Sequence, residues 1–300
     1  MSHTENVAVY GLGNMGYPIA RRLARHFSIQ VADLDSARVE RARAELSAMP
    51  IRDGGDLSGT RVVILSLPSP KASLAVLRQI ASHLPADAVV VETSTVNPED
   101  VQACAALLES TGIRIIDASV MAGVSQMESG DAMLLVGGEP EAVAQCAGVL
   151  DAIAPRQINF GGLGAGAAAK VINNAVAHAV MVVVAEAGSM ATAAGVDCDK
   201  LVQLLSDSRM GLHRPLTYRY AQRIMQDDYE GGMPLDAARK DSVLALALGQ
   251  NLGVPLFAIQ ASHSVYEMAT TAGYGRDDYA AIAKLWSDWG RPVAPASADA

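Results

Sequence analysis

The chain has 300 residues, half of them hydrophobic and 18% charged, which is enough for one large domain or two smaller ones. A net charge of -9 leaves no basic footprint for nucleic acid. The three cysteines, Cys104, Cys146 and Cys198, are far apart and form no CxxC, so neither a disulfide scaffold nor a metal site is expected. The polar start leads straight into a strand with no room for a signal peptide, and the most apolar segment, residues 175–185, is short for a bilayer span. A cytoplasmic protein that engages no membrane is the expectation.

The first strand is predicted over 7–11 and runs into Gly11-x-Gly13-x-x-Gly16, which opens a helix. Glycines at this spacing permit a tight turn and close approach of backbone to a pyrophosphate, whose charge meets the free N–H groups of the helix start. Gly11, Leu12, Gly13, Asn14, Met15 and Gly16 are therefore candidate cofactor residues. A second strand over 29–33 ends at Asp33, whose carboxylate suits the two hydroxyls of an adenosine ribose and repels a 2'-phosphate. Leu34 follows, with no arginine beside it, so NAD is favoured over NADP.

Further strands are predicted over 61–67, 88–93, 113–118 and 132–138, with amphipathic helices between them. Apolar strands alternating with helices indicate a mostly parallel sheet covered on both faces. The loops Leu67-Pro68-Ser69 and Thr93-Ser94-Thr95 fall at strand C-termini, where open parallel sheets bind ligands, and Leu67, Pro68 and Thr95 join the cofactor set.

Beyond residues 161–166 the strand signals stop. A helix over 165–194, about 45 Å long at 1.5 Å per residue, opens an all-helical remainder. An element so apolar is expected to be covered along much of its length. On it Lys170, Asn174 and His178 recur every four residues and share a face. An unpaired ammonium is costly to bury, so Lys170 either reaches water, finds a partner or does chemistry. The expected division is a dinucleotide-binding domain over 1–163, a helical domain over 164–290 and a frayed tail over 291–300.

Four motifs together resemble the β-hydroxyacid dehydrogenases, whose best-known members act on 3-hydroxyisobutyrate and tartronate semialdehyde. GLGNMG looks like the family's opening fingerprint, and DASVMAG, 117–123, falls at its substrate loop. GAGAAAKVINN, 164–174, matches Gly-x-x-x-Lys-x-x-x-Asn, and RKDSVLAL, 239–246, matches a C-terminal Lys-Asp motif. The resemblance implies an α/β Rossmann-type N-terminal domain, a long connecting helix and an all-α C-terminal domain. It also implies a homodimer or homotetramer, no metal, and NAD-dependent oxidation of a small anionic hydroxy acid or reduction of its semialdehyde.

By the same resemblance Lys170 is the general acid/base, Asn174 the group that orients the reacting oxygen, and Lys240 a contact to cofactor or substrate. The substrate loop departs from the family's usual Pro-Val-Ser-Gly-Gly, having Ser119, Val120, Met121, Ala122 and Gly123. Met121 replaces a hydroxyl that binds the substrate anion with a thioether, while Ser119 and the N–H groups of Ala122 and Gly123 are the remaining donors. Two other readings stand beside this one. Imine reductases share the architecture but usually lack the lysine, and a non-catalytic NAD-binding protein of the same fold would explain the altered loop.

Overall fold

A computed structural model describes residues 6–52, 57–291 and 293–294. The chain divides into two compact units, Met1–Ala175 and Val176–Ala300.

In the first unit, the strands are β1 (Asn6–Tyr10), β2 (Ser28–Ala32), β3 (Met49–Pro50), β4 (Thr60–Leu65), β5 (Val89–Glu92), β6 (Arg114–Met121), β7 (Met133–Gly137) and β8 (Arg156–Asn159). They form one sheet in the order β3-β2-β1-β4-β5-β6-β7-β8. Every pairing is parallel except β6 with β7. This is the doubly wound order, which reverses direction between β1 and β4 and opens a ligand crevice there. The intervening helices are α1 (Gly16–Leu23), α2 (Ser36–Leu46), α3 (Pro70–Ile80), α4 (Pro98–Leu108), α5 (Val124–Ser129), α6 (Pro140–Gln145) and α7 (Ala147–Ile153).

Alternation along each strand divides the core in two. Val7, Val9, Val62, Ile64, Ile116 and Ala118 pack on one face, while Ala8, Tyr10, Val63, Leu65 and Ile115 pack on the other with Ala167. Sequence reading found six of the eight strands. The two it missed carry no apolar run: β3 is two residues ending in a proline, and β8 is the largely exposed edge segment RQIN.

Helix α8 (Ala165–Ala193) starts in the first unit and continues into the second. The apolar segment expected to be too short for a bilayer is part of this single 29-residue helix, which by length and composition alone is able to cross one. The expected cover along much of its length is not found among the described residues. Ile172, Val176 and Met181 are 63%, 58% and 61% exposed.

The second unit adds α9 (Cys198–Leu205), α10 (Leu235–Leu252), α11 (Phe257–Thr271) and α12 (Lys284–Asp288), with no strand among its described residues. Its core is small, built on Tyr229, Leu235, Ala269, Ala280 and Leu285. A buried Arg219–Asp278 ion pair at 3.0 Å lies beside it. Within this unit Glu186 accepts from the backbone N–H groups of Phe257, Ala258 and Ile259, which anchors α8 to the start of α11. Those donors hold the Glu186 carboxyl below the usual range against the opposing effect of desolvation. Of the tail expected to fray, Arg291, Val293 and Ala294 are described, and Val293 accepts from the Tyr220 hydroxyl; the rest lies outside the described residues.

Candidate active site

The turn after β1 has the glycines that close packing demands. A Cβ on Gly11 would lie 2.1 Å from the Ser66 carbonyl oxygen, and one on Gly16 would lie 1.9 Å from that of Gly11. Gly11 also holds φ at 92°, a conformation that disfavours any side chain. A pocket of about 240 Å³ opens against Leu12, Gly13 and Asn14, with Arg21, Arg38 and Arg41 among its walls. Asn14 is exposed and Met15 half-buried at the start of α1. A backbone cradle followed by a helix N-terminus fits the pyrophosphate of a dinucleotide.

Asp33 follows β2 and is held on both oxygens. Its Oδ2 accepts from Leu12 N at 2.6 Å and its Oδ1 from Asp35 N at 2.8 Å. The premise that no arginine stands beside it is incorrect in three dimensions: Arg38 Nη1 lies 3.6 Å from Asp33 Oδ2. The cause is the start of α2. Asp35 caps that helix by accepting from Ala37 N, and the first turn carries Arg38 back over the end of β2. Adjacency in sequence missed it, whereas helical geometry from the Asp35 cap would have found it.

The two loops assigned to the cofactor channel are tied together. Leu67 N donates to Ser94 Oγ at 2.8 Å, and Ser94 N donates to Glu92 Oε1 at 2.9 Å. Burial pushes the Glu92 carboxyl up, despite the hydrogen bond from Ser94 N. Pro68 and Thr95 are exposed at the two loop tips.

The strand β6 carries Asp117, Ser119 and Met121 on alternate positions, so all three face the beginning of α8. Lys170 Nζ approaches Met121 Sδ at 3.4 Å, and Asn173 Nδ2 approaches the same sulfur at 3.6 Å. A thioether is a weak acceptor and offers no countercharge. Desolvation accordingly holds the Lys170 ammonium below the usual lysine range. Asn174 lies half-buried one helical turn beyond Lys170, and His178 is exposed.

Ser119 is buried, and its hydroxyl has no hydrogen-bond partner among the described residues. Gly123 N, expected to be open to an anion, already donates to Gln126 Oε1 at 2.8 Å. Ala122 is half-buried beside it. Lys240 belongs to the second unit, on α10, where it pairs with its neighbour Asp241 at 3.0 Å in an exposed contact worth little.

Sequence reading passed over Asp117 as a structural group. Its Oδ1 accepts from Gly164 N and its Oδ2 from Ala167 N, each at 2.7 Å, around the first turn of α8. Hydrogen bonds to a charged group contribute about 1.5–3 kcal/mol each. Burial raises this carboxyl, and the backbone donors oppose the rise.

A model of the NAD-binding domain of 6-phosphogluconate dehydrogenase matches residues 6–162. A second, described as the NAD-binding region of NADP-dependent 3-hydroxyisobutyrate dehydrogenase, matches residues 164–286. The chain belongs to the β-hydroxyacid dehydrogenase family. It is an NAD-binding oxidoreductase of that family, with the Rossmann and all-α domains that the two matches describe.

Among its β-hydroxyacid dehydrogenase relatives, 3-sulfolactaldehyde reductase of Escherichia coli is 29% identical, over 92% of this chain and 94% of the relative. L-threonate dehydrogenase of Cupriavidus necator is 28% identical, over 94% and 96%. The fold is also that of an imine reductase of Streptomyces aurantiacus, with a TM-score of 0.84, 22% identity and coverage of 94% and 99%.

Proposed function

We propose that this protein is an NADH-preferring dehydrogenase or reductase that interconverts a small anionic hydroxy acid and its aldehyde or ketone. The observation that carries the reading is the half-buried Lys170 amine, which faces a sulfur instead of a carboxylate and is held below its ordinary protonation range. Such a group exchanges protons near neutrality more readily than a solvated lysine does. The relatives named for 3-sulfolactaldehyde and L-threonate support a substrate with an anionic end.

A dinucleotide held at the Gly11–Gly16 turn and Asp33 would supply the hydride acceptor or donor. Lys170 takes the proton of the substrate hydroxyl during oxidation and returns it to the carbonyl oxygen during reduction. Asn174 donates to that oxygen and fixes its orientation. Ala122 N is left as an anion donor of the loop, since Gly123 N is engaged by Gln126. Met121 leaves the anionic end without a hydroxyl donor and favours a bulkier or less polar substituent.

The reading includes a homo-oligomer, since α8 exposes Ile172, Val176 and Met181, an apolar surface characteristic of subunit interfaces. Steady-state assays with NAD and NADH across hydroxy acids, semialdehydes and cyclic imines test the whole assignment. Turnover of an acid or semialdehyde is expected. Imine reduction without any alcohol or aldehyde turnover would give the chain to the imine reductases, whose fold it shares. Tight NADH binding without turnover of any compound would make it a binding protein.

A further inference from the structure

A buried carboxyl group lies one helical turn below Lys170. Asp117 is fully buried and accepts from Gly164 N and Ala167 N, each at 2.7 Å. Ala167 precedes Lys170 by three residues, so the two are neighbours along one side of α8. Four residues after Asp117 on the same strand face, Met121 meets Lys170 itself at 3.4 Å. Strand and helix are thus joined at two levels, the lower charged and the upper at the amine.

The glycines around the lower joint leave no slack. A Cβ on Gly166 would lie 2.3 Å from the Leu135 carbonyl oxygen and 2.8 Å from Asp117 Oδ2. One on Gly137, the register partner of Asp117 on β7, would lie 2.7 Å from Asp117 Oδ1. The glycine of the Gly-x-x-x-Lys motif is required by contact with this carboxylate and the neighbouring strand.

We propose that Asp117 is a positioning residue for Lys170. Its carboxylate sets the depth of the α8 start against β6, and with it the place of Nζ relative to the reacting oxygen. The proposal rests on reading Lys170 as the acid/base, and it deepens that reading by naming what holds the amine in place.

The test compares Asp117→Asn, Asp117→Glu and Lys170→Ala in the full chain, with NADH and the best carbonyl substrate of the panel. A displacement near 1 Å costs on the order of 100-fold, so kcat of Asp117→Asn should fall about 10–100-fold, with KM and the NADH Kd moving less than about threefold. The solvent deuterium isotope effect on kcat should rise, because proton transfer through a displaced amine becomes more rate-limiting. A lower Tm with unchanged kcat per NADH-binding site and an unchanged isotope effect would overturn the proposal.

If Asp117→Asn does not fold, Asp117→Glu decides: it keeps the charge and both acceptors while lengthening the joint. Wild-type kcat in that variant overturns positioning, and a reduced kcat with a raised isotope effect supports it. An active Lys170→Ala would remove the acid/base reading and the proposal together. An inactive Lys170→Ala beside fully active Asp117 variants would remove positioning alone.

Discussion

The sulfur of Met121 lies 3.4 Å from the Nζ of Lys170, where the family's usual residue is a serine. The amine is desolvated beside a sulfur instead of a carboxylate, and on the proposed function the loop lacks a hydroxyl donor for the substrate's anionic end. Met121→Ser should restore that donor. A hydrogen bond to a charged group contributes about 1.5–3 kcal/mol, so kcat/KM for compact acids such as 3-hydroxyisobutyrate should improve by roughly 10-fold or more. Turnover of the native substrate should weaken. An unchanged order of preference across the acid panel would count against this role for Met121.

Lys170→Ala should lower turnover by about two to four orders of magnitude, the scale of a positioned acid–base group. NADH affinity, read by fluorescence titration, should hardly change, because the phosphate cradle is at Gly11–Gly16. Equal losses of binding and turnover would make the lysine a cofactor anchor.

The lowered lysine predicts the direction of two pH profiles. Oxidation needs the neutral amine, so its kcat/KM should rise with pH through a midpoint below the ordinary lysine value of about 10.4. Reduction needs the ammonium and should decline over the same range. The folded state binds fewer protons than the unfolded state between those two values, so the Lys170 contribution to stability increases with pH across that window. Urea titrations of wild type and Lys170→Met should diverge there, the wild type gaining stability as pH rises; parallel curves would contradict the direction.

Asp33 and Arg38 are expected to pull cofactor choice in opposite directions. The Asp33 carboxylate is fixed by Leu12 N and Asp35 N and disfavours a 2'-phosphate, so the kcat/KM ratio of NADH to NADPH should exceed about 10. Asp33→Ala should narrow the ratio by removing the carboxylate and releasing Arg38 Nη1, while Arg38 Nε keeps Asp35 at 3.5 Å. Arg38→Ala should widen it by removing the cation 3.6 Å from that carboxylate. A wild-type preference for NADPH would refute the assignment, and a ratio unmoved by Arg38→Ala would show that the guanidinium takes no part.

Val176 is 58% exposed in the middle of an apolar helix. Val176→Glu should shift the sedimentation profile from an oligomer towards single chains, since a charge inside a dry interface is costly. A wild-type protein that sediments as a monomer at micromolar concentration would end the oligomer reading.

The sequence by itself determined the architecture and the chemical types at the site. Strand periodicity, the Gly11–Gly16 turn and the loss of strand signal after residue 166 are local properties, set by backbone conformation and burial pattern. They specify the doubly wound sheet, the long helix and the lone Lys170 without reference to distant contacts. Only the tertiary structure decided what each of those groups faces. Asp117 grips a helix start that is 47 residues away in the chain, and Met121 meets the Lys170 amine 49 residues on. A side chain's partner depends on which elements pack together and at what depth, and strand or helix periodicity contains no such distance. The protonation of Lys170 follows the same division. The chain supplies the amine, and its surroundings, a sulfur and a partly buried helix face, set how readily it gives up a proton.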